Sequence, residues 1–162
     1  MSASLALIAG MTAAMYTLAP SGFYRFCAEH TVSCSPRFGD VIPSVPMVDA
    51  VNRQVNAEMT PTAEADGADV WKVGGKTGDC EDYALTKRAA LLKAGVASSR
   101  LRLATGITSS GEGHAVLVVT TDVGDLVLDN RTNALMPPEM GRLSIKTIQS
   151  SENPRMWLRV AR

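Results

Sequence analysis

The spacing of apolar residues changes period along this chain, and the changes mark its elements. Between Pro46 and Thr60 the apolar residues Val48, Val51, Val55 and Met59 recur at three and four positions, one face of an amphipathic helix, while Asn52, Arg53, Gln54 and Asn56 face elsewhere. A second helix begins at Asp79, a residue type suited to an N-cap, carries Glu81 and Asp82 in its first turn, and stops at Gly95. Beyond Gly95 the period falls to two. Leu101, Leu103, Thr105 and Ile107 alternate with Arg102, Ala104 and Gly106 as a strand, and 114–121 makes another. After a turn at Asp122-Val123-Gly124-Asp125, 126–129 continues as a third strand, and a short one is expected around 157–160.

Two stretches lack a period. From Pro20 to Pro46, with Pro36 and Pro43 between, the chain reads as an extended arm. From Thr60 to Gly78, Pro61, Gly67, Gly74, Gly75 and Gly78 predict a long irregular loop around the apolar pair Val70-Trp71, and long loops in compact domains are often functional.

Residues 1–19 carry no charge and are rich in Leu, Ala, Met and Ile, as the core of a secretory signal would be, though without its positive start. Either the start lies inside a longer signal or the segment is an uncleaved anchor; a buried helix is the third reading, and cleavage near Ala14 or Ala19 is preferred. No other stretch is long enough to span a membrane. The expected organisation is therefore a signal or anchor (1–19), an arm (20–46) and one domain (47–162). A chain of 162 residues with 46% hydrophobic content supports a single core. Sixteen basic residues balance sixteen acidic ones, and no Lys/Arg run could track a phosphate backbone, so nucleic acid is excluded as a partner. A membrane would be met only through the N-terminal segment.

Of the three cysteines, Cys27 and Cys34 are close enough in sequence to close a disulfide, which export would permit; two reduced thiols in a loop are the alternative. Cys80 is left as a single thiol at a helix N-terminus, where backbone N–H groups and the positive dipole end favour the thiolate that attacks a carbonyl. His114 opens a strand after Gly111-Glu112-Gly113, and Asp129 closes the next one. A symmetric turn centred on Val123-Gly124 puts Asp129 opposite Val118, on the same sheet face as His114 but about four residues away along the strands. A bulge near Gly113 or Gly124 must then bring them together. Asp79 and Glu81 flank Cys80 with negative charge that disfavours a thiolate. A calcium ion held by Asp79, Glu81 and Asp82 with loop carbonyls would neutralise it; ordinary acid enrichment in a first helical turn is the plainer reading.

GDCEDYAL (78–85) with Lys87-Arg88, GEGHAVLVV (111–119) and GDLVLDN (124–130), with VNRQVN (51–56) and IQSSENPRMW (148–157), together resemble the bacterial transglutaminase-like cysteine proteinases over roughly 48–157. The resemblance implies an α+β, papain-like core with the nucleophile helix packed on an antiparallel sheet, a Cys80–His114–Asp129 triad, and a periplasmic or secreted location. It also implies a protein or peptide substrate, large biofilm adhesins in the best understood members, and calcium at Asp79 and Glu81. Thiolate attack by Cys80 on a peptide carbonyl would give an acyl-enzyme released by water, with the Cys80 N–H and Trp71 as oxyanion donors. The chain is shorter than the adhesin-cutting members and its loop at 71–77 is compressed, so the motif names the machinery without naming the target. An acyl transferase or amidase with the same triad, and a catalytically silent calcium-dependent binding module, are the competing readings.

Overall fold

The structure, a computed structural model, describes residues 15–65 and 67–161; the apolar stretch 1–14 lies outside the described residues. Its elements are β1 (Tyr16–Thr17), α1 (Ser21–Glu29), α2 (Val45–Glu58), β2 (Thr60–Pro61), β3 (Thr77–Gly78), α3 (Cys80–Lys93), β4 (Leu101–Thr108), β5 (Gly113–Thr121), β6 (Gly124–Asp129), β7 (Thr132–Met136), β8 (Leu143–Gln149) and β9 (Trp157–Arg159). Seven strands form one antiparallel sheet in the order β1-β9-β8-β4-β5-β6-β7, and β2 and β3 form a separate parallel pair. The expected α+β architecture, with the Cys80 helix on an antiparallel sheet, is what the chain adopts.

Alternation of side chains sorts the sheet into two apolar faces. Leu101, Leu103, Leu117, Val119 and Leu128 pack with Leu85, Leu91 and Leu92 of α3 in the main core, whereas Ala104, Val116, Val118 and Leu143 cluster on the other face with Val127, Ile145 and Ile148. Burial on both faces explains why 115–119 is apolar without interruption.

α2 takes the expected face inward at Val48, Val55 and Met59, with Pro46 in its first turn and the Ser44 side chain accepting from the Met47 N–H. α3 is capped as expected: the Asp79 side chain accepts from the Asp82 N–H at 3.3 Å, and Gly95, at φ +92°, supplies the left-handed residue beyond the helix end.

Three expectations change. The arm at 20–46 is not extended throughout, because Phe23, Phe26 and Cys27 recur at helical spacing and bury one face of α1 in the main core. Asp69, from the 60–78 loop, accepts from the Ser21 hydroxyl and the Gly22 N–H and so caps that helix from outside. A disulfide joins Cys27, in the last turn of α1, to Cys34 beyond the helix. Second, the sheet reaches past the expected elements: β7 and β8 were not anticipated, and β1 lies inside the segment assigned to a signal or anchor, where it pairs with Trp157 and Leu158. Third, the β5–β6 turn is centred one residue earlier. Thr121 pairs with Gly124 and Leu117 with Leu128, so Asp122 and Val123 are the loop and Gly124 takes φ +114°.

Candidate active site

That last correction assembles the site. Carried one residue beyond Leu117–Leu128, the register sets Asp129 opposite Val116, which makes it a diagonal neighbour of His114, within side-chain reach. No bulge is needed between β5 and β6; the irregularity falls between β6 and β7, at Val127/Asp129. His114 Nε2 lies 2.9 Å from Asp129 Oδ1, and both side chains are more than nine-tenths buried. Because the carboxylate can only accept, Nε2 donates and Nδ1 is left as the basic nitrogen of the neutral ring.

Cys80 opens α3 against the start of β5, where the Ala115 N–H donates to Sγ at 3.4 Å. The sulfur is therefore bonded to the residue after His114, and cysteine, histidine and aspartate meet in one place. The loop before Cys80 is pinned from both sides. β2 pairs with β3, the Tyr83 hydroxyl donates to the Met59 carbonyl at 2.7 Å, and the Lys72 N–H donates to Asp82 Oδ1 at 2.9 Å. Gly78 is required there, since a Cβ would come within 2.7 Å of Asp82 Cβ.

The chain matches the family model for "Bacterial transglutaminase-like cysteine proteinase BTLCP" over residues 13–162. It belongs to that family.

Among solved structures, the chain resembles Legionella pneumophila LapG at 24% identity and TM-score 0.59, over 68% of this chain and 65% of that one. It thus spans slightly less than two-thirds of that chain's length. LapG after EGTA treatment matches at 26% identity and TM-score 0.57 over 68% of this chain and 64% of that one. Calcium-bound LapG matches at 22% and 0.60 over 88% of this chain and 84% of that one. No curated protein matches the chain.

Sequence reasoning missed three residues that hold Asp129 in place. Arg131 donates its backbone N–H to Oδ1 at 2.9 Å and its guanidinium to both oxygens, closest at 2.7 Å to Oδ2. Asn52 and Asn56 of α2, expected to face away from the core, donate instead to the turn that carries the aspartate. Asn52 reaches the Thr132 carbonyl at 3.2 Å, and Asn56 the Asp129 and Thr132 carbonyls at 3.1 and 3.2 Å. The available signal was the pair of asparagines at i, i+4 beside the apolar stripe of α2. Burial works to raise the Asp129 pKa, but the hydrogen bonds from His114 and Arg131 outweigh it and hold the carboxyl well below the usual range.

Trp71, the second expected oxyanion donor, is buried against Phe23, and its indole N–H already donates to Asp69 at 2.8 Å. The Cys80 N–H, at the first helical position, has no partner among the described residues and stays available.

The acids around Cys80 divide in role. Asp82 is fully buried and ties down the preceding loop, with Lys72 Nζ 3.1 Å from Oδ2. Asp79 and Glu81 crowd each other: burial and then the charges of Glu81 and Asp82 push the Asp79 carboxyl well above its ordinary pKa. Cys80 Sγ–H donates to Glu81 Oε2 at 2.9 Å. Burial, followed by the Glu81 charge and this hydrogen bond, raises the thiol pKa, so in this arrangement the proton stays on sulfur.

Among the described residues no three His, Cys, Asp or Glu side chains are grouped to hold an ion. Asp79 and Glu81 set two carboxylates side by side beside the thiol, the hard-oxygen donor type that calcium takes together with backbone carbonyls and water.

Proposed function

We propose that this protein is an exported cysteine peptidase in which Cys80 is the nucleophile, His114 the general base and acid, and Asp129 the group that orients the histidine. The observation that carries the reading is the His114 Nε2–Asp129 Oδ1 bond beside a sulfur held by the next residue's N–H. Family membership supplies the reaction class.

In the first half-reaction His114 Nδ1 takes the thiol proton and the thiolate adds to the peptide carbonyl carbon. The Cys80 N–H faces the oxygen on which charge develops. The imidazolium, stabilised by Asp129, gives its proton to the leaving nitrogen, the C–N bond breaks, and a thioester remains. Water, deprotonated by His114, then attacks that thioester. The acid is released, the sulfur takes back its proton, and the enzyme returns to its starting state.

Glu81 controls the first step. Turned toward the thiol, it keeps the proton on sulfur; turned away, it leaves His114 as the acceptor. Asp79 and Glu81 are the residues that would hold calcium, which when bound supplies positive charge beside the thiol. The similarity to LapG, whose structures include calcium-bound and EGTA-treated forms, supports looking for calcium here.

Export is supported by the Cys27–Cys34 disulfide, which persists in oxidising compartments, and by the uncharged N-terminal stretch.

Incubation of the protein with an unfolded protein substrate and calcium tests the reaction. New amino termini, formed without consumption of an added amine and absent with Cys80→Ala, are the expected result. Amine incorporation would instead make the protein an acyl transferase.

A further inference from the structure

A cleft of about 490 Å³ opens next to the triad, with the triad residue Asp129 in its lining. Arg131 and Arg142 also line it, and Val127, Ala134 and Met136 are its apolar lining. The cleft joins the triad through Asp129, which lines it and holds both His114 and Arg131. A second hollow shares Ser109, Gly141 and Arg142 with the first and is lined further by Ile107, Leu143 and Glu139, so the surface on which an extended segment could lie continues past Arg142.

The charge of this cleft is one-sided. The only carboxylate in its lining is Asp129, and that group is already satisfied by His114 and by the Arg131 N–H groups. Arg142 is exposed and has no ion pair or hydrogen bond among the described residues, so its charge is free. An apolar floor beneath a free guanidinium suits a side chain with an aliphatic stem and an acidic head; a lysine would bring like charge between two arginines.

We propose that this cleft is a substrate subsite that takes a glutamate side chain of the peptide, its stem over Val127, Ala134 and Met136 and its carboxylate on Arg142. The assignment rests on the peptidase reading above and adds to it a preference the triad does not supply.

Two experiments with a synthetic random-peptide library separate this assignment from that reading. The first is digestion by the wild-type protein in calcium, with the products sequenced. Glutamate should be enriched at one fixed distance from the cut by about fivefold at low salt, the scale of one partly exposed ion pair, and less at high salt. Arg142→Ala should flatten that position and Arg142→Glu should turn it toward lysine or arginine. The second is equilibrium enrichment of the same library on immobilised Cys80→Ala protein, which needs no turnover. Acidic peptides retained by Cys80→Ala and lost with the added Arg142→Glu change support the subsite even if the wild type cuts nothing, in which case the peptidase reading alone falls. A charge-independent profile in both experiments, or one that Arg142→Glu leaves unchanged, overturns the subsite.

Discussion

His114 and Asp129 share a 2.9 Å contact that uses Nε2 of the imidazole and leaves Nδ1 as the base. Asp129 then has two separable tasks, fixing the ring and stabilising the imidazolium. Asp129→Asn keeps an acceptor oxygen for Nε2–H and loses the charge, whereas Asp129→Ala loses both. The alanine variant should lose on the order of 100-fold or more in kcat/KM, and the asparagine variant less, with fold and stability checked by circular dichroism. Equal losses would mean that orientation is not the role of this group.

Arg131 makes the acid resistance of the site testable. Asp129 is held below its unfolded pKa, so its contribution to stability is present above that value, about 3.9, and disappears only as pH falls through the lower folded-state pKa. Arg131→Ala removes the guanidinium bonds that depress it and keeps the one from the backbone N–H. Acid unfolding should therefore begin at higher pH in this variant, as read by tryptophan fluorescence along a pH titration.

Glu81→Gln removes the charge next to the thiol. Since Glu81 raises the Cys80 pKa through its charge and its hydrogen bond, the variant's pH profile for alkylation should shift to lower pH when both proteins are measured in chelator. The same variant should no longer respond to added calcium. An unchanged alkylation profile would remove Glu81 from control of the thiol.

The two candidate processing sites are not equivalent in the folded protein. β1 pairs with β9, the Arg159 N–H donates to the Met15 carbonyl at 2.9 Å, and Ala19 packs against the main core. Cleavage after Ala19 would remove an edge strand, whereas cleavage after Ala14 spares it. Intact-mass measurement of protein recovered after export should give a mature chain that begins at Met15.

Much of this arrangement is legible in the residues themselves. The four-residue ladder of α2, the acidic cap and terminal glycine of α3, and the alternation of β4 are local signals, and the order Cys80, His114, Asp129 follows from them. The register is not legible in the same way, because Asp122-Val123-Gly124-Asp125 admits two turn centres. Only the left-handed Gly124 and the Thr121–Gly124 pair decide between them, and that shift of one residue in the centre brings Asp129 to His114.

β8 carries a short alternation at Leu143, Ile145 and Thr147, whereas the two residues of β1 are too few to show a period. Arg131, Asn52 and Asn56 matter through contacts that the tertiary fold creates, as does the diversion of Trp71 to Asp69. Nothing local announces those contacts.

Selective covalent labelling of Cys80 by a peptide-based electrophile tests the central claim most directly, with the modified residue mapped by mass spectrometry and rates compared with and without chelator. The account predicts labelling at Cys80 that is lost in His114→Ala and slowed by chelation. Labelling at the rate of an ordinary free thiol, indifferent to His114 and to calcium, would contradict it.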